Sequence, residues 1–387
     1  MVDDNSGRFE LAPASLAAAS TALLLMGMSA AAYGPLLIFL MHRFSIGVSV
    51  AGLVFGVHST GSLLGTIAWM VALRRFASRL LVGISLAFFA AGCVGVAIAP
   101  SWPLTLTGVF LIGIGFGQLD LAINQLLAYN IDSARVALLN GLNGVYGIGA
   151  VAAPLLVSAA ADRYGILYAA AAGIALLAWF GFRGLAGSLH SITAIASRGR
   201  RRTIALVSLF AVAIGFYVGV EVGVGGWMPT HLHAKGETVP LASTVTSGFW
   251  LALAVGRFII APIASRVGES RVVLAGSGVA IVSLTGALAT PLAPFAYILT
   301  GLAIAPIFPT AVAWLAHLNP DNPSATSWMF PAVSIGAAMI PSATGFFIAG
   351  AGVGRVPAIY AAVALASLVA FAAAGATVRT SAASSIR

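Results

Sequence analysis

Two carboxylates stand in stretches of this chain that otherwise carry no charge. Asp120 lies in GIGFGQLDLAINQ (113–125) and Glu221 in FYVGVEVGVGGWMPTHL (216–232), where the nearest charges are Arg202 before and Lys235 after. The other eight of the ten acids fall in the polar head or near short polar breaks. A carboxylate in apolar surroundings can take up and release a proton, or hold a solute hydroxyl. Asn124 follows Asp120 at i, i+4 and shares its helix face; Gln118 lies off that face. Asn140 and Asn143, at i, i+3, put two amides on another face. Together these groups offer donors and acceptors to a hydroxyl-rich solute. Tyr217 precedes Glu221 by one turn, and Trp227, Trp250 and Trp328 offer flat apolar faces. Arg257 is the one cation inside an apolar stretch, at a depth similar to that of Asp120. A pair between those two would make both structural or gating groups. Each of these residues also has a packing reading, since amides tie helices together and tryptophans anchor them. His231 and His233 form an H-x-H without a third ligand nearby, and are read as solvated rather than metal-binding.

The elements that must position these groups are membrane helices. The chain has 387 residues, 60% hydrophobic and only 7% charged, with a mean hydropathy of +1.03. A soluble domain carries about 25% charged residues, so water cannot be the main solvent of this surface. Spanning a bilayer takes about 20 mostly apolar residues. Twelve such segments follow: 15–41, 48–73, 80–99, 103–129, 136–160, 165–186, 203–232, 239–265, 272–290, 292–318, 324–350 and 355–378. They are too long, and alternate too little, for barrel strands. The acidic, polar head lacks the basic start of a cleaved signal, so the first segment is expected to be retained. Cys93 is the single cysteine and can form no internal disulfide.

The basic stretch GSLHSITAIASRGRRR (187–202) divides the segments six and six. The expected organisation is therefore a six-helix bundle over 1–186, a cytoplasmic linker over 187–202 and a second six-helix bundle over 203–387. With both termini inside, the inner segments hold fourteen Lys and Arg and the outer loops four, which sets the orientation in the cytoplasmic membrane. The net charge of +9 is spread through short loops rather than massed on one face, which excludes a nucleic-acid partner. By the same count Asp120 lies about 13 Å from the cytoplasmic end of its helix, and Glu221 about 27 Å from that of its own.

The halves also echo each other. GTIAWMVALRRFASR (65–79) matches GRFIIAPIASRVGESR (256–271), and Gly149–Pro154 and Gly336–Pro341 share one spacing in segments five and eleven. Parallel repeats of six helices suggest two bundles about an axis along the membrane normal. At this point the chain resembles the major facilitator superfamily, and within it the fucose–proton symporter-like branch of sugar carriers. The residues behind this are GIGFGQLDLAINQ, FYVGVEVGVGGWMPTHL, GLAIAPIFPT (301–310) and IPSATG (340–345). Two departures stand out. Arg74–Arg75 occupies the place of the family's usual Asp–Arg pair, and segment one lacks the carboxylate that several branch members carry.

The resemblance implies an all-α membrane fold of two pseudo-symmetric six-helix bundles that carries a solute by alternating access. The expected function is proton-coupled transport of a small polar solute, a sugar, with the proton favoured over sodium, in a monomer that needs only the lipid bilayer around it. Glu221 and Asp120 are the expected proton-coupling acids. Asn124, Asn140, Asn143, Tyr217, Trp227 and Trp250 are the expected solute contacts, and Arg257, Arg75 and Arg266 the expected gating residues. Proton-antiport export of amphipathic drugs or lipids is the alternative. The chain has no HExxH, GxSxG or nucleotide-binding loop, so neither an enzyme nor an ATP-driven pump is expected, and no cofactor. Glycines after Glu221 are expected to loosen its helix.

Overall fold

Apolar runs bounded by Gly, Pro and polar clusters become helices throughout the described chain, because in hydrocarbon a backbone must satisfy its own hydrogen bonds. The structure, a computed structural model, describes residues 13–128, 133–184, 201–319 and 323–384. In order the helices are α1 (Pro13–Phe44), α2 (Val48–Ala51), α3 (Leu53–Ala72), α4 (Ser78–Ile98), α5 (Trp102–Ala128), α6 (Ser133–Ala160), α7 (Tyr164–Gly181), α8 (Arg201–Ala234), α9 (Val239–Val267), α10 (Glu269–Gly286), α11 (Ala293–Ile304), α12 (Ile307–Leu318), α13 (Met329–Ala351) and α14 (Val356–Ser384). Among the described residues, ten stretches are long and apolar enough to cross a membrane. One of them, Gly141–Gly181, contains most of α6 and all of α7. Most of the expected linker, residues 187–200, lies outside the described residues.

Two expected segments prove to be interrupted. The second is split into α2 and α3, and the tenth into α11 and α12 around Ala305 and Pro306. A proline removes a backbone donor and crowds the preceding turn, which accounts for the second break. By contrast, α8 runs unbroken for 34 residues through GVGG and past Pro229, so the expected loosening after Glu221 is absent.

The chain divides into two compact units: Met1–Ala32 with Val57–Thr193, and Tyr33–Gly56 with Ala194–Arg387. Within the first, a side chain on Gly149 of α6 would overlap the Leu24 carbonyl of α1. Within the second, one on Gly336 of α13 would overlap the Gly215 carbonyl of α8. The two repeat-related glycines thus do the same work, letting the fifth and eleventh segments touch the backbones of the first and seventh. Small residues at such crossings are how apolar helices approach closely in lipid. The stretch 33–56 packs in the second unit through Gly34, set against the Gly225 carbonyl and Pro229, and through Phe55, whose ring lies 5.9 Å from that of Trp227.

Candidate transport site

Glu221 sits on α8, 13 residues before its last residue Ala234, or about 20 Å from that end at 1.5 Å per residue. Arg257 sits on α9, 18 residues after its first residue Val239, about 27 Å from the same turn. Side chains on a helix lean toward its N-terminus. The long arginine therefore runs back along α9 and covers the difference in depth. Its Nη2 donates to Glu221 Oε1 at 3.3 Å. The other carboxylate oxygen, Oε2, accepts the hydroxyl of Tyr217, one turn earlier on α8. Both oxygens are thereby engaged. The Tyr217 ring is buried and stacks on Phe308 of α12, 6.5 Å between centroids and 19° between planes. Glu221 is 16% exposed and Arg257 41% exposed.

Asp120, which matches Arg257 in depth, belongs to the other unit; within its own unit the carboxylate that Arg257 meets is Glu221. In the first unit, Asn124 Nδ2 donates to the Asp120 carbonyl at 2.8 Å and to its Oδ1 at 3.2 Å. The i, i+4 spacing thus forms a local amide–carboxylate pair on an exposed face of α5. One residue on, Gln125 accepts the indole N–H of Trp69 at 3.0 Å.

The remaining candidates divide. Asn143 is exposed on α6, and the Asn140 side chain lies outside the described residues. Trp227 is fully buried, with its indole N–H donated to the Pro341 carbonyl at 2.8 Å. Trp250 is 7% exposed, and its Nε1 has no hydrogen-bond partner. Trp328 is exposed. Arg75 and Arg266 are exposed, and among the described residues neither makes an ion pair. His231 is a second correction. Expected in solvent, it is fully buried, and its Nδ1 lies 2.9 Å from the Tyr297 hydroxyl. Only His233 is exposed.

The glycines after Glu221 have a different use from the one expected of them. A side chain on Gly223 would strike the Tyr360 ring, one on Gly225 the Trp250 indole at 2.7 Å, and one on Gly226 the Phe55 ring. They are seats for three aromatic rings from three other helices. Sequence could not show this, because the rings come from distant parts of the chain.

Ten apolar stretches of membrane length among the described residues define a multi-pass integral membrane protein. Its likeness to known proteins points to a family. Residues 19–186 match the model of the Major Facilitator Superfamily. The chain is 26% identical over 304 residues to an MFS-type transporter of Enterobacter sp. (strain 638), covering 76% of this chain and 77% of that protein. It is 21% identical over 328 residues to the glucose/mannose transporter GlcP of Bacillus subtilis (strain 168), covering 79% and 81%. Its fold superposes on the D-xylose–proton symporter with a TM-score of 0.78 at 16% identity, over 92% of this chain and 96% of that one. Over residues 19–186 the chain is thus similar to the Major Facilitator Superfamily, and its fold is that of solved transporters.

Proposed function

We propose that this transporter moves a small polar solute, a sugar, by proton-coupled alternating access, with Glu221 as the carboxylate that binds the coupling proton. The observation that carries this reading is the engagement of both Glu221 oxygens, by Arg257 and by Tyr217. Deprotonated, the carboxylate balances the guanidinium, and the pair is neutral overall. Protonated, it no longer balances Arg257, and the guanidinium turns to solute hydroxyls as replacement acceptors. Proton binding and solute binding are linked through one arginine in this scheme. Asp120 with Asn124 offers a second carboxylate–amide group, and Asn140, Asn143 and Trp250 further solute contacts. Arg75 and Arg266 stand at the inner loops as gating charges. Twelve crossings in two six-helix halves, with both termini and the 187–202 linker in the cytoplasm, complete the reading, supported by the fourteen-to-four distribution of basic residues. The glucose/mannose relative and the xylose–proton symporter fold support a sugar as the solute.

The test is uptake into proteoliposomes of a panel of labelled monosaccharides, with and without an imposed inward proton gradient. Accumulation of at least one sugar only when the gradient is present supports the reading. Accumulation that needs sodium, or none of any sugar, contradicts it.

A further inference from the structure

One face of α9 carries polar groups that the protein itself leaves unanswered. Ser243 is 0% exposed, Ser247 5% and Trp250 7%, yet neither serine hydroxyl nor the indole N–H has a hydrogen-bond partner. Their neighbours behave differently. Thr244 and Thr246 return their hydroxyls to the carbonyls of Pro240 and Ala242, at 2.9 and 2.8 Å. The orphans are therefore not a habit of α9 but of one stripe on it. Seven residues turn an α-helix to within about 20° of its starting direction, so Ser243, Trp250 and Arg257 form a line, with Ser247 beside it. Two members of that line fix what it faces. Trp250 packs on Gly225 of α8, and Arg257 bonds Glu221 of α8. The stripe runs down the seam between α8 and α9. It begins near the exposed turn holding His233, Lys235 and Gly236 and ends at the carboxylate, about 21 Å from Ser243 to Arg257.

A buried donor left without a partner costs about 1–3 kcal/mol, and three in a row point to a small polar partner that threads between them. Serines four residues apart are about 6 Å apart along the axis, a gap that one water molecule bridges. We propose that the α8/α9 seam is an aqueous proton route from the α8–α9 turn to Glu221, relayed by Ser243 and Ser247 and plugged by Trp250. Each relay step conserves atoms and charge: a serine oxygen accepts a proton from the water on one side and releases its own to the water on the other. At the end, the Glu221 carboxylate becomes the neutral acid and Arg257 loses its counter-charge. Tyr217 faces the same carboxylate and already gives it its own hydroxyl hydrogen. The plug follows from packing. The indole lies where Gly225 has no side chain, between the hydroxyl row and the acid, so a standing leak is avoided while it stays seated. The proton role of this seam rests on Glu221 being the protonated group, whereas its wetness does not.

The test uses the full-length protein with Cys93→Ser, reconstituted in vesicles. Ser243→Cys, Ser247→Cys and Thr246→Cys are treated with a small cationic methanethiosulfonate, which reacts with the hydrated thiolate. Positions 243 and 247 should react about tenfold faster than 246, since thiolate access to water sets the rate. Equal, slow rates at all three would overturn the seam itself. A second arm follows the collapse of an imposed pH gradient with an entrapped dye and no solute present. Trp250→Ala should speed the collapse, and adding Glu221→Gln should return it to the parent rate. Fast labelling with no Glu221-dependent leak would overturn the proton route while leaving the serines wetted.

Discussion

Neutralising one member of the Glu221–Arg257 pair should harm the protein more than neutralising both. Charges 3.3 Å apart attract by about 5 kcal/mol at an effective dielectric of 20. Desolvation of both groups offsets much of this. Arg257 is 41% exposed, so solvent weakens the remainder further. A net coupling of about 1–3 kcal/mol is the expected remainder, within the range found for contacting residues. Glu221→Gln leaves the guanidinium without its counter-charge, although glutamine still accepts from Tyr217. Arg257→Gln leaves a carboxylate with only one partner. The double variant carries neither charge. Thermal unfolding of the three variants in one detergent, by intrinsic tryptophan fluorescence, should show the double variant losing less than the sum of the two single losses. If the three losses add to within about 0.5 kcal/mol, the pair is not a coupled unit, and the linkage of proton to solute through Arg257 has no basis.

Other consequences are equally direct. Trp227→Phe keeps the ring packed against Phe55 but removes the bond to the Pro341 carbonyl, and should lower stability by about 0.5–1.5 kcal/mol in the same melting assay, with no loss of uptake beyond that explained by the folded fraction. Gly149→Leu and Gly336→Leu should each push two helices apart, because the new side chain meets the backbone of Leu24 or of Gly215; both should elute as aggregates on size exclusion, whereas Gly141→Leu, with open space around it, should not. Cysteines at Ser191 and Ser197 should be labelled by an impermeant maleimide only in inside-out vesicles, and labelling in intact cells would reverse the orientation.

The helices were legible because lipid demands long apolar runs, and charges, glycines and prolines mark where the runs stop. Which residues face one another was not. Arg257 sits at a depth that matches Asp120 in the sequence, and its bond to Glu221 depends on the length of its side chain and its lean along α9. The run GVGG reads equally as a weak helix and as a row of seats, since both need a missing side chain. What separates the two is the arrival of Phe55, Trp250 and Tyr360 from elsewhere in the chain. His231 looked solvated beside His233 near a helix end, yet α11 brings Tyr297 over it and leaves only His233 in solvent. The Asp120–Asn124 pair was readable, because i, i+4 contacts are fixed by the helix itself. Proline breaks were half readable: the tenth segment parts at Pro306, while α8 carries Pro229 without interruption.

Coupling through Glu221 is tested most directly by Glu221→Gln in proteoliposomes, using whichever labelled sugar the parent accumulates. Glutamine keeps the shape and the Tyr217 bond but cannot gain or lose charge. Exchange of sugar at equal concentrations on both sides should persist, since that cycle requires no net proton movement. Accumulation driven by an inward proton gradient should fall to the level seen without a gradient. A variant that still concentrates the sugar as well as the parent under the same gradient would show that the proton is carried elsewhere.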